Sequence, residues 1–84
     1  MPKSIHRADY AIFLQELRQA REKAGLTQEQ LAERLDLTQT FISKCERGER
    51  RLDVIELRDF CQAINISLDD FVAELEKMLK KKVK

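Results

Sequence analysis

Five polar side chains within residues 39–47 share one face if this stretch is a helix. At 100° per residue they span an arc of about 140° that contains no acidic residue. They are Gln39, Thr40, Ser43, Lys44 and Arg47. The apolar residues fall on the opposite side and are Phe41, Ile42 and Cys45. The pattern therefore predicts a helix with one buried face and one polar face that is free to bind.

This polar face has the chemistry that reads base edges in DNA. A glutamine amide pairs with adenine through two hydrogen bonds, and Ser or Thr bonds either base type or touches a thymine methyl group. Gln39, Thr40 and Ser43 could therefore read sequence, and Lys44 adds positive charge for phosphates. Phosphate contacts are expected from Arg47, from Arg50 and Arg51 unless these are only a solvated loop, and from Thr27 and Gln28 at a helix N-terminus.

Local signals define the first two helices that precede this face. Apolar side chains recur at helical spacing from Tyr10 to Ala24, and Gly25 then favours a left-handed helix end. Thr27 and Gln30 have the spacing of a capping box, so a second helix is expected to begin at Gln28.

The same reasoning predicts three further helices. The third runs over residues 39–47 and is ended by Gly48. Asp53 can cap a fourth helix that ends near Asn65, and Ser67 or a neighbour opens a fifth. The predicted fold class is therefore all-α, with helices two and three forming a helix-turn-helix.

Two segments carry a family resemblance. Residues 25–32, GLTQEQLA, and residues 37–48, LTQTFISKCERG, closely resemble the lambda repressor and Cro family, also called the XRE family. The resemblance covers about residues 10–71. It implies a compact five-helix DNA-binding domain in which Gln28 contacts a phosphate. By the same resemblance, the base-reading residues are expected to be Gln39, Thr40, Ser43 and Lys44. The chain also resembles restriction-modification controller proteins and small phage repressors, so a bacterial or phage-encoded repressor is expected.

The resemblance further implies a buried ion pair between Arg21 and Glu46 that joins helices one and three. Two residues depart from the family pattern. Asp36 stands where the family usually has Gly, and Asp tolerates the left-handed backbone of such a turn. Phe41 replaces a small residue, and its ring either packs on helix four or approaches the DNA backbone.

The charge is unevenly distributed along the 84 residues, whose formal net charge is +1. Residues 1–51 hold ten basic and eight acidic side chains, residues 52–76 hold one and seven, and residues 77–84 hold five and none. A basic surface on a nearly neutral protein is compatible with this distribution.

Several classes of protein are disfavoured. We expect no enzyme, since the sequence has no nucleophile and base set, no phosphate loop and no metal cluster, and therefore no cofactor. Cys45 and Cys61 lack metal-ligand spacing and are expected to be small buried residues. No apolar run can cross a bilayer and the first ten residues lack the apolar core of a signal peptide, so a cytoplasmic location is expected.

Helix five has an apolar stripe wider than a lone terminal helix needs. Leu68 and Phe71 are expected to face inward. A homodimer contact is expected from Val72, Leu75, Met78 and Leu79. A two-fold dimer would place two recognition helices about 34 Å apart and would bind a pseudo-palindromic site. The chain would then divide into an arm (1–9), a DNA-binding domain with its dimerisation helix (10–76) and a basic tail (77–84) that frays.

Two alternatives use the same fold for binding proteins. An antitoxin would neutralise a toxin while still binding its own operator, and an adaptor would have lost DNA binding. An antitoxin usually carries an added segment that this sequence lacks, and an adaptor would be expected to lose the polar face. A contact with RNA polymerase through the acidic region 53–76 stays open, as does a toxin partner.

Overall fold

The computed structural model describes the backbone of residues 3–82 and the side chains of residues 8–81. It has five α-helices and, within the described backbone, no strand. They are α1 (Lys3–Lys23), α2 (Gln28–Leu35), α3 (Gln39–Arg47), α4 (Val54–Ala63) and α5 (Leu68–Lys82). None of the five is long and apolar enough to cross a membrane. The predicted all-α, five-helix architecture is confirmed.

Side-chain caps explain where α2, α3 and α4 begin. The Thr27 hydroxyl accepts from the backbone N–H of Gln30 at 3.1 Å, and the Gln30 side chain accepts from the Thr27 N–H at 2.9 Å. Asp53 and Glu56 form the same reciprocal box at 2.7 and 2.9 Å. Thr38 caps α3. These bonds satisfy amides that the first helical turn leaves unpaired, and they confirm the predicted starts.

Left-handed residues explain where the first four helices end. Gly25, Gly48 and Asn65 have φ values of 78°, 82° and 65°, as their positions predicted. At Gly48 a β-carbon would also lie only 2.9 Å from Leu14 Cδ1. Asp36, which replaces the family glycine, has φ 59° and ends α2. Asp therefore supplies the sharp turn into α3 without glycine.

The predicted start of the first helix was wrong. The helix begins at Lys3, whereas the apolar stripe placed its start at Tyr10. Apolar periodicity marks only the buried part of a helix. An existing helix extends readily through a mostly polar segment that has no Gly or Pro. At the other end, α5 continues to Lys82, so much of the segment expected to fray is helical. The division into arm, domain and tail stays a prediction.

One hydrophobic core holds the helices in place. α1 packs against α3 and α5, while α4 packs against α2 and α5. The largest fully buried side chains are Phe71, Leu31, Ile42, Cys45 and Cys61. Phe71 meets Phe13 of α1 edge-on, with ring centroids 6.0 Å apart. Because α3 contributes two of these residues, the core fixes which side of α3 faces solvent.

Candidate nucleic-acid interface

The polar face of α3 lies on the surface. Ile42 and Cys45 are buried, as the helical arrangement predicted. The side chains exposed on the opposite side are Gln39, Thr40, Lys44 and Arg47, with Ser43 half-buried beside them. Glu46, the acidic residue of α3, points into the protein and its side chain is 4% exposed. The structure thus brings the predicted base-reading residues together on a face to which α3 itself contributes no acidic side chain.

Phe41 packs toward α4. Its half-buried ring lies against the core and lines a shallow depression with Phe60. The Arg50 guanidinium carbon lies 4.8 Å from the ring centroid. Arg50 in turn donates to both carboxylate oxygens of Glu56, at 3.0 and 2.8 Å. Of the two arrangements left open by the sequence, the packing of the ring against the core beside Phe60 favours the first.

Arg50 and Arg51 are both held by the protein itself. The hydrogen bond from Arg50 lowers the pKa of Glu56 and raises the pKa of Arg50 itself. Arg50 also donates to the backbone carbonyl of Arg51. The Arg51 guanidinium carbon lies 4.4 Å from the Tyr10 ring centroid, at cation–π distance. Their contact with phosphate stays a prediction.

Arg47 has partners on both sides. Its Nε and Nη2 atoms donate to the two carboxylate oxygens of Glu49 at 3.0 and 3.1 Å. Its Nη1 atom donates to the Ser43 hydroxyl. The Arg47 hydrogen bond lowers the pKa of Glu49, and the same bond raises the pKa of Arg47. Ser43 and Arg47, both predicted to contact DNA, are therefore hydrogen-bonded to each other, and Arg47 is also paired with Glu49.

Arg21 and Glu46 form the ion pair implied by the family resemblance. Arg21 Nε donates to Glu46 Oε2 at 2.6 Å and Nη2 donates to Oε1 at 3.0 Å. Arg21 Nη1 donates to the Leu26 carbonyl at 2.8 Å. The side chains are 9% and 4% exposed. This pair fastens α1 to α3 and to the loop before α2.

Two glutamines extend the hydrogen bonds of this ion pair to the protein surface. Gln28 Nε2 donates to Glu46 Oε1 at 3.0 Å. Gln39 Nε2 donates to Gln28 Oε1 at 2.6 Å. A chain of hydrogen bonds therefore runs from Arg21 through Glu46 and Gln28 to Gln39, the first residue of α3.

The predicted dimerisation stripe is only partly covered by the protomer. Leu75 packs against the core. Met78 and Leu79 are half-buried, while Val72 is 45% exposed. Contact with a second copy stays a prediction.

The two cysteines are free, buried thiols, as expected. Burial raises the pKa of the Cys61 thiol to about 11 and also raises that of Cys45. Both thiols therefore stay protonated at neutral pH, when they are poor nucleophiles and poor metal ligands. Across the described residues, no cluster of three His, Cys, Asp or Glu side chains could hold a metal ion.

Sequence reasoning missed the acidic partners of the surface arginines. Glu56 was recognisable as the third residue after the Asp53 cap, but its pairing with Arg50 depends on how the loop before α4 folds back. Glu49 lies two residues beyond Arg47, and no periodic pattern marks that pairing. The contact between Gln28 and Glu46 was missed because it joins residues 18 positions apart.

Comparisons with known proteins agree with this geometry. A family model described as helix-turn-helix matches residues 17–71. An uncharacterized transcriptional regulator in the ATPase CF(0) region of Rhodospirillum rubrum is 35% identical over 75 residues, which are 89% of this chain and 68% of that protein. Control protein C.MunI of a Mycoplasma species is 33% identical over 57 residues, which are 68% of this chain and 77% of that protein.

A solved structure matches as well. An XRE-family like protein from Pseudomonas syringae pv. tomato str. DC3000 superposes with a TM-score of 0.82 at 49% identity, covering 90% of this chain and 93% of that one. The matched residues contain the helix-turn-helix and the acid-free face of α3 described above. The chain therefore belongs to the XRE family of helix-turn-helix transcriptional regulators, which are DNA-binding proteins.

Proposed function

We propose that this protein is a cytoplasmic repressor that binds a pseudo-palindromic operator as a homodimer. The observation that carries the proposal is the surface of α3, where Gln39 and its neighbours form an exposed face without an acidic side chain. Such a face can enter the major groove of B-DNA without repelling the phosphates. Repression would follow from occupation of promoter DNA.

Base recognition is assigned to the exposed residues of α3. Gln39, at the N-terminus of the helix, has amide chemistry that matches adenine. Thr40 and Ser43 supply hydroxyl groups, and Lys44 supplies a cation that can donate to guanine. The N-terminal residues of a recognition helix are those that reach base edges in this class of fold.

Phosphate recognition is assigned to the edges of that face. Gln28 begins α2, where unpaired amides and the helix dipole favour an anion. Thr27 caps the same helix and its hydroxyl hydrogen is available to a phosphate oxygen. Arg47 at the end of α3, together with Arg50 and Arg51 in the following loop, supplies positive charge. These contacts would position the protein on the duplex, whereas sequence choice would come from the base contacts.

The dimer is assigned to α5. Val72 and its neighbours Leu75, Met78 and Leu79 form an apolar stripe that the protomer leaves partly exposed. The same helix is acidic at its start, with Asp69 and Asp70, and rich in lysine at its end. Antiparallel packing of two copies would cover the stripe and bring opposite charges together. Two recognition helices could then contact half-sites about one helical turn apart.

The first test is selection from random-sequence DNA with the purified protein, followed by sizing of the complex. We expect a two-fold-symmetric motif with half-sites about 10 base pairs apart, bound by two chains. Failure to enrich any motif, with only weak binding that salt abolishes, would reject the operator assignment. A reporter placed behind the selected site then tests repression, since an activator would raise its output.

Replacing Gln39 with Ala is expected to weaken binding to the selected site by about 1–3 kcal/mol, the cost of losing one bidentate base contact. Binding to unrelated DNA should change little, because phosphate contacts are unaffected. Titrations against both DNAs at one salt concentration give the two values. Equal losses on both would show that Gln39 does not read a base.

Replacing Glu49 with Gln is expected to tighten binding to any duplex DNA about 2- to 5-fold. The change removes a negative charge and releases Arg47 for phosphate, so the slope of log K against log salt should steepen by about 1. Asp59→Asn on α4 is a matched control with the same charge change. Equal affinities and salt slopes for the two variants would show that Arg47 does not contact a phosphate.

A protein-binding role is the second candidate function. It is favoured by two apolar side chains at the start of α4, Val54 and Ile55, which are 60% and 65% exposed. Exposed apolar residues that form a contiguous patch can mark a contact surface for another protein. An antitoxin or adaptor that uses this surface becomes the better reading if the DNA selection fails.

A further inference from the structure

Glu46 has a second hydrogen-bond partner besides Arg21. Its Oε1 atom accepts from Arg21 Nη2 and from Gln28 Nε2, both at 3.0 Å. The carboxylate is 4% exposed and is held at both oxygens by the Arg21 fork. An ionised carboxylate can only accept hydrogen bonds. The amide nitrogen of Gln28, rather than its oxygen, must therefore face Glu46.

This contact also fixes the direction of the next bond. With its nitrogen toward Glu46, the Gln28 amide turns its oxygen toward α3, where it accepts from Gln39 Nε2 at 2.6 Å. Within the part of the chain whose side chains are described, the Gln39 amide then has one remaining N–H and an oxygen without a hydrogen-bond partner. A donor and an acceptor side by side on one amide are what the N7 and N6 edge of adenine requires.

We infer that Glu46 is a positioning residue for base recognition. Acting through Gln28, its carboxylate sets which way the Gln39 amide points, so that oxygen and nitrogen meet a base in a defined order. The inference rests on the proposed function, in which Gln39 reads a base. It assigns Glu46 a role beyond the ion pair, because fastening α1 to α3 requires only the bonds to Arg21.

Replacement of Glu46 by Gln is expected to reverse the chain of hydrogen bonds. With the new amide oxygen held by Arg21 Nε, its nitrogen would take the place of Oε1, lose the bond from Arg21 Nη2 and face Gln28. Gln28 would turn its own oxygen toward that nitrogen and present its N–H groups to Gln39 instead. The Gln39 amide would be rotated accordingly and would lose its match to adenine.

The test measures base preference rather than affinity alone. Duplexes carrying each of the four base pairs at the position read by Gln39 are titrated with the wild type, Glu46→Gln, Gln28→Met and Gln39→Ala. A bidentate contact gives about 5- to 150-fold discrimination. We expect Glu46→Gln and Gln28→Met to reduce this discrimination at least about 5-fold, toward the discrimination shown by Gln39→Ala. Loss of a phosphate contact by Gln28 would weaken all four duplexes equally and leave this ratio unchanged.

Leu57→Ala and Gln28→Met separate an effect on positioning from an effect on stability. Leu57→Ala removes a buried side chain of α4 outside the hydrogen-bond chain and should leave the base preference intact. Gln28→Met leaves the Arg21–Glu46 pair in place, so it remains informative if Glu46→Gln does not fold. In the free protein, the side-chain amide signals of Gln39 should also shift in Glu46→Gln and Gln28→Met but not in Leu57→Ala.

The outcomes distinguish this inference from the proposed function. Suppose that Gln39→Ala loses the preference at one base-pair position, while folded Glu46→Gln and Gln28→Met keep the wild-type preference. The positioning role of Glu46 is then wrong, and base reading by Gln39 stands. If Gln39→Ala keeps the wild-type preference at every position, both the positioning role of Glu46 and base reading by Gln39 are wrong. Relaxed preference in all three variants, with Leu57→Ala unchanged, supports both.

Discussion

The Arg21→Met variant is expected to lose about 3–5 kcal/mol of stability, because it leaves the Glu46 carboxylate buried without its cation. Gln28 would be the remaining side-chain donor, and the Leu26 carbonyl would lose its partner as well. A domain of this size has a free energy of unfolding of only about 5–15 kcal/mol. The single replacement should therefore remove a large part of the free energy of unfolding. Urea denaturation followed by circular dichroism measures the difference.

The double variant Arg21→Met, Glu46→Leu is the control for this prediction. With both charges removed, no unpaired ion is buried, and replacement of a buried pair by apolar side chains is often neutral or stabilising. We expect the double variant to recover most of the stability lost by Arg21→Met, although it would lose the hydrogen bond to Gln28. A cost below about 1 kcal/mol for Arg21→Met would mean that water or another donor reaches Glu46.

Placing a charge in the α5 stripe is expected to have the largest effect on DNA binding. Val72→Asp puts an acid at a half-exposed position of the proposed dimer contact, where a buried charge in each copy would oppose association. Linked binding of two half-sites can exceed single-site affinity about 10²- to 10⁴-fold, and a monomer would lose that gain. Sedimentation measures the oligomeric state, and titration of the selected operator measures the affinity.

Ala73→Asp is the matched control for the dimer prediction. It makes the same change in charge one residue further along α5, at an exposed position outside the apolar stripe. It should stay dimeric and bind the operator with nearly wild-type affinity. A Val72→Asp protein that stays dimeric and binds as tightly as Ala73→Asp would show that the dimer contact lies elsewhere.

Local sequence signals were sufficient for most of the framework. The Thr27 and Asp53 caps, with the left-handed residues Gly25 and Gly48, predicted element boundaries because the bonds that they make span only a few residues. The split of α3 into buried and exposed sides followed from its periodicity. The start of α1 was missed because polar residues extend a helix without leaving an apolar pattern.

The family resemblance supplied one long-range contact, the pairing of Arg21 with Glu46, which periodicity could not have provided. The partners of the other charged side chains within the protein were left open by the sequence. Arg47 binds Glu49 and Ser43, whereas Arg50 binds Glu56 and covers Phe41. A long flexible side chain reaches several neighbours, so its partner depends on distances between elements rather than on its own position in the chain.

The sequence by itself determined the five-helix class, the helix-turn-helix and the residue types on the exposed face of α3. These depend on caps, turns and periodicity, which act within one or two helical turns. Only the tertiary structure decided that Gln39 is tied through Gln28 to the buried carboxylate of Glu46. That contact exists because the core sets α2 and α3 at a distance where these three side chains can bond, and no local rule fixes that distance.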